Sequence, residues 1–310
     1  MKRVAGIDCG TNSIRLLIAD IDDEGRLHDV VRRMEVVRLG EGVDDTGRLS
    51  EAALERTRAR LVEYTDQIRE HGAEAVRMVA TSATRDAANA HEFTEMVVSV
   101  LGKAPEVITG DEEARLSFKG AVFTGAVAGL LDEGQQVLLV DIGGGSTEFV
   151  RGQTAEVLAA ISVDVGCVRM TERHLRSDPP PAEEIDEAVA DIKSVVDRAL
   201  AVADADRTAT ELVAVAGTAT TVAAIALELP AYDPDAIDGT RLSYEQIVNV
   251  TADLIASDHA ARLAIPSMHP GRADVIIGGS LVLRTIMERS GINEVLISEH
   301  DILDGIALSA

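Results

Sequence analysis

One short pattern occurs twice in the chain. It reads apolar strand, Asp, any residue, Gly, two small residues, Ser, apolar strand: "VAGIDCGTNSIRLLI" around Asp8 and "VLLVDIGGGSTEFV" around Asp141. Runs rich in Val, Ile and Leu, bounded by Gly and small polar residues, are strands joined by tight turns. A pattern repeated once, half a chain apart, is not a solenoid period. It points to two similar domains, each opening with the same hairpin. Glycines cost backbone entropy, and Gly143, Gly144 and Gly145 stand in a row. Either the turn requires left-handed backbone, or something comes very close to the main chain.

Composition narrows what that something is. A length of 310 residues suits two ordinary domains. With only 2% aromatic residues and no Trp, the core is built from Ala, Val, Leu and Ile, which suits helices on buried strands. Stacking platforms for nucleic-acid bases are lacking. The net charge of −24 repels nucleic acid and anionic membranes, so no nucleic-acid or membrane partner is expected. A phosphate site must then be local, built from glycine amides, a few arginines and a divalent cation. Cys9 and Cys167 lack metal or disulfide spacing. No signal peptide or membrane-length apolar run is visible, and the expected location is cytoplasmic.

The remaining pattern alternates strands and helices. Ser50 reads as the N-cap of a helix to about Glu70, ended by Gly72. An apolar stripe at Phe118, Val122, Ala126 and Leu130 predicts one long helix over Asp111–Leu131. "PAYDPDAIDGT" reads as loop, and "SDPPPAEE" as a stiff connector. The main boundary is expected in the glycine-bearing stretch Gly129–Gln135.

Five groups of residues carry candidate chemistry. Successive amides in a turn form an anion nest, and Thr11, Asn12, Ser13 and Ser146 add hydroxyl or amide donors. Asp8 and Asp141 end their strands. A carboxylate there either caps its own turn or holds a divalent metal beside a phosphate, Mg²⁺ being the natural bridge. Glu148 shares that hairpin. In "ITGDEEARLSFKG", the acids Asp111, Glu112 and Glu113 open a helix. They favour the helix dipole, or one of Glu112 and Glu113 is a general base; residues about 100° apart cannot both face the site. Arg85 in "ATSATRDA" either grips phosphate or pairs with Asp86 or Asp111. Gly217 and Thr218 in "VAGTATT" open a helix, another anion-friendly geometry. Walker A, Gly-x-Gly-x-x-Gly and His-Glu-x-x-His patterns are absent.

Taken in order, "DCGTNSIRLLI", "RLGEGV", "TSATRDA", "TGDEEARLSF", "DIGGGSTEFV", "GCVRMTERHL", "AGTATT" and "SEHDILDGIAL" resemble the exopolyphosphatase and guanosine pentaphosphate phosphohydrolase family. That family lies within the actin-like, RNase H-like phosphotransferases. The resemblance covers essentially the whole chain and is to the short, two-domain form. It implies an α/β fold of two actin-like domains flanking an interdomain cleft: residues 1–128, completed by 299–310, and residues 129–298. It implies that Glu113 is the catalytic base, Glu148 its partner acid and Arg85 the arginine at the terminal phosphate. Thr11, Asn12 and Ser13 match the first phosphate loop and Gly143 to Ser146 the second. Asp8, Asp141 and Glu148 are the metal candidates for Mg²⁺ or Mn²⁺.

The implied substrates are inorganic polyphosphate, guanosine pentaphosphate or both, with a homodimer as the expected assembly. Strong acidity sits poorly with a long basic channel. Arg169, Arg173, His174 and Arg176 are the residues able to form a short basic patch, so short chains or the nucleotide are the expected preference. An actin-like kinase or ATPase, and a non-catalytic sensor of guanosine polyphosphates, are the competing readings.

Overall fold

The computed structural model describes residues 1–132, 134–153 and 156–310. The expected boundary stretch includes Glu133, which lies outside them. Contacts divide the chain into two compact units: Met1–Gly120 with Asp301–Ala310, and Ala121–His300.

The first unit carries strands β1 (Lys2–Cys9), β2 (Ser13–Ile21), β3 (Leu27–Val36), β4 (Ala75–Ala80) and β5 (Glu106–Val107). Its helices are α1 (Val43–Thr46), α2 (Glu51–Glu70), α3 (Ser82–Asp86), α4 (Ala90–Leu101) and α5 (Gly110–Phe123). The sheet order is β3-β2-β1-β4-β5, with β1, β2 and β3 antiparallel and β4 and β5 parallel to β1. As the pattern predicts, Ser50 caps α2, its side chain accepting from the Ala53 amide. Leu61 and Tyr64 of α2 and Phe93 of α4 pack on Ile14, Leu16 and Ile18 of β2.

The second unit carries β6 (Gln136–Ile142), β7 (Thr147–Gln153), β8 (Glu156–Val163), β9 (Glu211–Val215), β10 (Arg241–Ser243) and β11 (Glu294–Ile297). Its helices are α6 (Cys167–His174), α7 (Ala182–Ala203), α8 (Ala216–Ala226), α9 (Pro234–Ile237), α10 (Tyr244–Ala256), α11 (His259–Leu263) and α12 (Ile276–Ser290). Ile192 and Val196 of α7 and Leu281 and Ile286 of α12 cover Leu138, Val140 and Phe149 of the sheet. The sheet order is β10-β11-β9-β6-β7-β8. Read from its β8 edge, it repeats the first sheet strand for strand, β10 being added at the far edge. The two units are the expected pair of similar α/β folds.

The closing helix α13 (Ile302–Ala307) belongs to the first unit. Leu303 and Ala307 pack on Val4 and Leu17, and Ile302 and Ile306 on Val79 and Leu116. This is the sheet face opposite the α2–α4 layer, because alternate strand residues point to opposite faces.

Two local expectations fail. The long helix stops at Phe123, and Val127–Gly129 is a separate 3₁₀ turn. The break is at Gly125, which takes φ +67° and whose Cβ would lie 2.1 Å from His300 Cδ2. Only Phe118 and Val122 of the stripe are buried; Ala126 and Leu130 keep the spacing but lie exposed beyond the break. The "PAYDPDAIDGT" loop contains α9, capped by the Asp233 side chain. Among the described residues no helix is long and apolar enough to cross a membrane.

Candidate active site

In the first unit the β1–β2 turn is closed by the Gly10 amide donating to Ser13 O at 2.9 Å. The Thr11 and Asn12 carbonyls of the turn are directed to protein donors. Thr11 O accepts from Gly40 N at 2.8 Å, and Asn12 O from Val37 N and Arg38 N at 3.0 and 2.8 Å. Thr11 Oγ1 shares a hydrogen bond with Ser82 Oγ at 2.8 Å, which ties the turn to α3. The amides of Thr11 and Asn12 donate to no acceptor among the described residues, though both residues are buried. Buried amides are almost always paired. Two unspent ones side by side form a nest for an anion.

Asp8 meets a partner that its own turn does not announce. It does not cap its own turn. Its Oδ2 accepts from Arg15 Nε at 3.0 Å and Nη2 at 2.6 Å, across the β1–β2 register. Arg15 also bonds Asp301, the N-cap of α13. Burial pushes the Asp8 carboxyl above its ordinary value, and Arg15 only partly offsets this. Asp8 Oδ1 is buried and has no hydrogen-bond partner, as is true of Asn12 Oδ1.

Short helix α3 delivers Arg85. Its Nη1 donates to Ile108 O at 3.0 Å and to Glu113 Oε2 at 3.2 Å. Glu113, rather than Asp86 or Asp111, is therefore its acidic partner. Thr109 starts α5, its carbonyl taking the Glu113 amide and its hydroxyl the Glu112 amide. The helical offset then separates the two acids. Glu112 is half-buried against Arg77 at 2.7 Å, whereas Glu113 is 8% exposed and faces Arg85. Asp111 bonds Arg115.

The second unit repeats the loop chemistry. The Gly143 amide donates to Ser146 O at 3.0 Å. Gly143 O accepts from Cys167 N, Gly144 O from Val168 N and Arg169 N, and Gly145 O from Arg169 Nε at 2.7 Å. The start of α6 thus engages all three carbonyls. The amides of Gly144 and Gly145 donate to no acceptor among the described residues. Neither these glycines nor Gly143 is in the left-handed region. Backbone conformation does not require them, which leaves close approach as their reason.

Asp141 and Glu148 face each other in the β6–β7 register, and both are buried. Glu148 Oε1 accepts from Ser162 Oγ of β8 at 2.7 Å. Among the described residues no group of three or more His, Cys, Asp or Glu side chains is arranged to hold a metal. Mg²⁺ does not ask for one. It is commonly held by one or two carboxylates, with water and phosphate completing the shell. The Asp141–Glu148 pair of the second unit fits that requirement by itself, and in the first unit Asp8 offers one open carboxylate oxygen.

Gly217 and Thr218 open α8 after Ala216, which sits at φ +67°, a strained backbone for a residue with a side chain. A Cβ on Gly217 would lie 1.7 Å from Arg272 Nη1, so the guanidinium rests directly on the glycine. A Cβ on Gly279 of α12 would touch both Thr218 Oγ1 and Cys167 Cβ, so this turn and the glycine loop meet through Cys167. Arg272 is a site-side cation the sequence reading missed. Its only signal is the glycine that makes room for it. Arg15, Asp301 and Ser162 were also missed.

Of the four residues expected to form a basic patch, Arg176 turns its Nη2 to Arg173 O at 3.3 Å. Arg169 is committed to the loop, and Arg173 and His174 both meet Asp191 Oδ2, at 3.2 and 2.9 Å. Asp191 comes from the next helix, α7, so no local pattern announces it. In sum, Asp8, Thr11, Asn12, Ser13, Arg85 and Glu113 gather in the first unit. Asp141, Gly143 to Ser146, Glu148, Gly217 and Thr218 gather in the second.

Comparison with known proteins agrees with this chemistry. Exopolyphosphatase 2 of Mycobacterium tuberculosis is 48% identical over 321 aligned positions, covering 100% of the chain and 98% of the relative. A solved exopolyphosphatase-like protein matches with a TM-score of 0.94 at 44% identity, covering 99% of the chain and 97% of that structure. A Ppx/GppA family member from Aquifex aeolicus matches at 0.81 and 33% identity, covering 99% and 97%. The model of the Ppx/GppA phosphatase family spans residues 17–310. With its two amide nests and buried carboxylates, the chain belongs to the Ppx/GppA phosphatase family, whose members hydrolyse phosphoanhydride bonds.

Proposed function

We propose that the chain is an exopolyphosphatase that releases orthophosphate from the end of inorganic polyphosphate, with short chains preferred. The observation that carries this is the pair of matching turns whose carbonyls are engaged and whose amides are unspent. Such turns bind phosphoryl oxygens through fixed dipoles that need no reorganisation during reaction.

In this reading each residue has a defined task. The amides of Thr11, Asn12, Gly144 and Gly145, with the hydroxyls of Ser13, Ser146 and Thr218, grip phosphate oxygens, Gly217 leaving room for the Arg272 guanidinium beside that turn. Glu113 takes the proton of the attacking water. Arg85 holds Glu113 through Nη1, leaving its remaining nitrogens for a terminal phosphate oxygen. Asp141 and Glu148 are the pair that would hold Mg²⁺ or Mn²⁺, with Asp8 as the first unit's candidate. When bound, the cation supplies charge neutralisation on the phosphoryl group undergoing in-line displacement. Catalysis is then positioning plus electrostatics, as in phosphoryl transfer generally. The preference for short chains follows from the net charge of −24, which repels a long polyanion.

The test compares phosphate release by wild type and Glu113→Gln, with Mg²⁺, on short polyphosphate, long polyphosphate, guanosine pentaphosphate and ATP. Wild type is expected to act best on short polyphosphate, and Glu113→Gln to lose about 10²-fold or more, as loss of a general base allows. Fastest release from the nucleotide would instead make this a guanosine pentaphosphate phosphohydrolase. Nucleotide binding without release would make it a sensor.

A further inference from the structure

The two hairpins are built alike until one position. In the first, Asp8 stands opposite Arg15, and the two form an ion pair. In the second, Asp141 stands opposite Glu148, and Glu148 stands opposite Ser162 on β8. Opposed residues of antiparallel strands share a face, with Cβ atoms about 4.5–5.5 Å apart. Asp141, Glu148 and Ser162 therefore form one row across three strands. Like charges directly opposite each other are destabilising. A row serving stability alone would carry a base at its centre, as the first unit's row does with Arg15.

Ser162 answers the acidic centre of the row. Its hydroxyl donates to Glu148 Oε1 at 2.7 Å, with Glu148 only 1% exposed. A serine hydroxyl has a single proton to give, and here it goes to one named carboxylate oxygen. Hydrogen bonds to ionised acceptors are roughly twice as strong as neutral ones. The bond spans β7 and β8 at their register, so the sheet itself fixes which way the carboxylate plane turns.

We propose that Ser162 is a positioning residue for Glu148, fixing the carboxylate's rotation for the reaction, an inference that rests on the phosphoanhydride hydrolase reading above. Partners of this kind typically change affinity or activity about 10–100-fold when removed. The variants are Ser162→Ala, Ser162→Thr, Glu148→Gln and the Ser162→Ala/Glu148→Gln double, assayed on short polyphosphate with Mg²⁺. Ser162→Ala is expected to lower kcat on the order of 10-fold and to leave KM unchanged. Ser162→Thr, which keeps the hydroxyl, restores kcat. In the Glu148→Gln background Ser162→Ala adds no further loss, the signature of two residues acting as one.

A second readout does not depend on turnover. In protein labelled with ¹³C at glutamate carboxyls, the Glu148 line is the one lost in Glu148→Gln. At one fixed pH this line moves in Ser162→Ala and returns in Ser162→Thr. If wild type hydrolyses none of the substrates, the hydrolase reading fails by itself and the carboxyl line still decides the role of Ser162. An unmoved line, or equal kcat losses with and without Glu148, overturns the proposal.

Discussion

Asp191 shows how much of this protein's charge is arranged rather than scattered. Burial pushes its carboxyl up, but the hydrogen bonds from His174 and Arg173 outweigh burial and hold it below the usual carboxylate value. A carboxyl lowered in the native state binds fewer protons there than in the unfolded chain, so stability rises with pH across that window. The contribution is complete above the unfolded value of 3.8 and is lost as pH falls through the lower native value. Asp191→Asn is therefore expected to unfold more readily than wild type at neutral pH, by under about 1 kcal/mol for a partly exposed pair. The two urea midpoints converge in acid. A difference that persists or grows in acid would contradict this.

Arg15 is the stronger case. It lies between Asp8 and Asp301, and removing one partner of a buried ion pair costs about 3–5 kcal/mol. Arg15→Met should lower the thermal midpoint of unfolding well beyond Arg58→Met, whose exposed pair with Glu55 is worth little.

At the scale of elements, α5 and α13 cross with almost no space between their backbones. A Cβ on Gly120 would lie 1.7 Å from Asp301 O, and one on Gly305 would lie 2.1 Å from Leu116 O. A backbone oxygen cannot swing aside as a side-chain tip does, so the helices must separate. Gly120→Ala and Gly305→Ala are each expected to cost about 3 kcal/mol or more, at or above the usual range for overpacking. Gly129→Ala, with nothing within 4 Å, is the control and should be near neutral by calorimetry. None of this was legible in "LSFKG" or "ILDGIAL", where each glycine reads only as a weak helix residue. What was legible is what local chemistry encodes: the twin strand–turn–strand units, the Ser50 cap, and the first-turn acids of α5. The partners Arg15–Asp301, Arg85–Glu113, Gly217–Arg272 and Glu148–Ser162 join segments distant in sequence. A single sequence carries their residue types but not their meeting. The stripe beyond Phe123 misled for a related reason: Gly125 breaks the helix, and Ala126 and Leu130 keep the helical spacing while lying exposed.

At the scale of the molecule, the same strand order serves two units that differ in what completes them. The second unit is made from one continuous stretch, whereas the first needs both ends of the chain. Residues 301–310 bring it Ile302, Leu303 and Ile306 for the core, Asp301 for Arg15 and Asp304 for Arg32. Each unit also carries one buried thiol: Cys9 on β1 and Cys167 at the start of α6. Burial raises both thiols, Cys9 further through nearby Asp8, while Arg272 and Thr218 only partly oppose the rise at Cys167. Buried thiols of raised pKa are inert to disulfide reagents, so each becomes reactive only when its own unit opens. Native protein should therefore resist labelling at both sites. Ending the chain at His300 removes the first unit's last helix and both carboxylate partners, leaving the second unit's stretch intact. Cys9 should then label rapidly while Cys167 stays protected, as read by mass spectrometry of tryptic peptides after brief exposure to N-ethylmaleimide. Equal labelling of the two would mean that the units unfold as one body. Protection of both would mean that the β1–β4 core of the first unit holds without α13, against the burial of its side chains there.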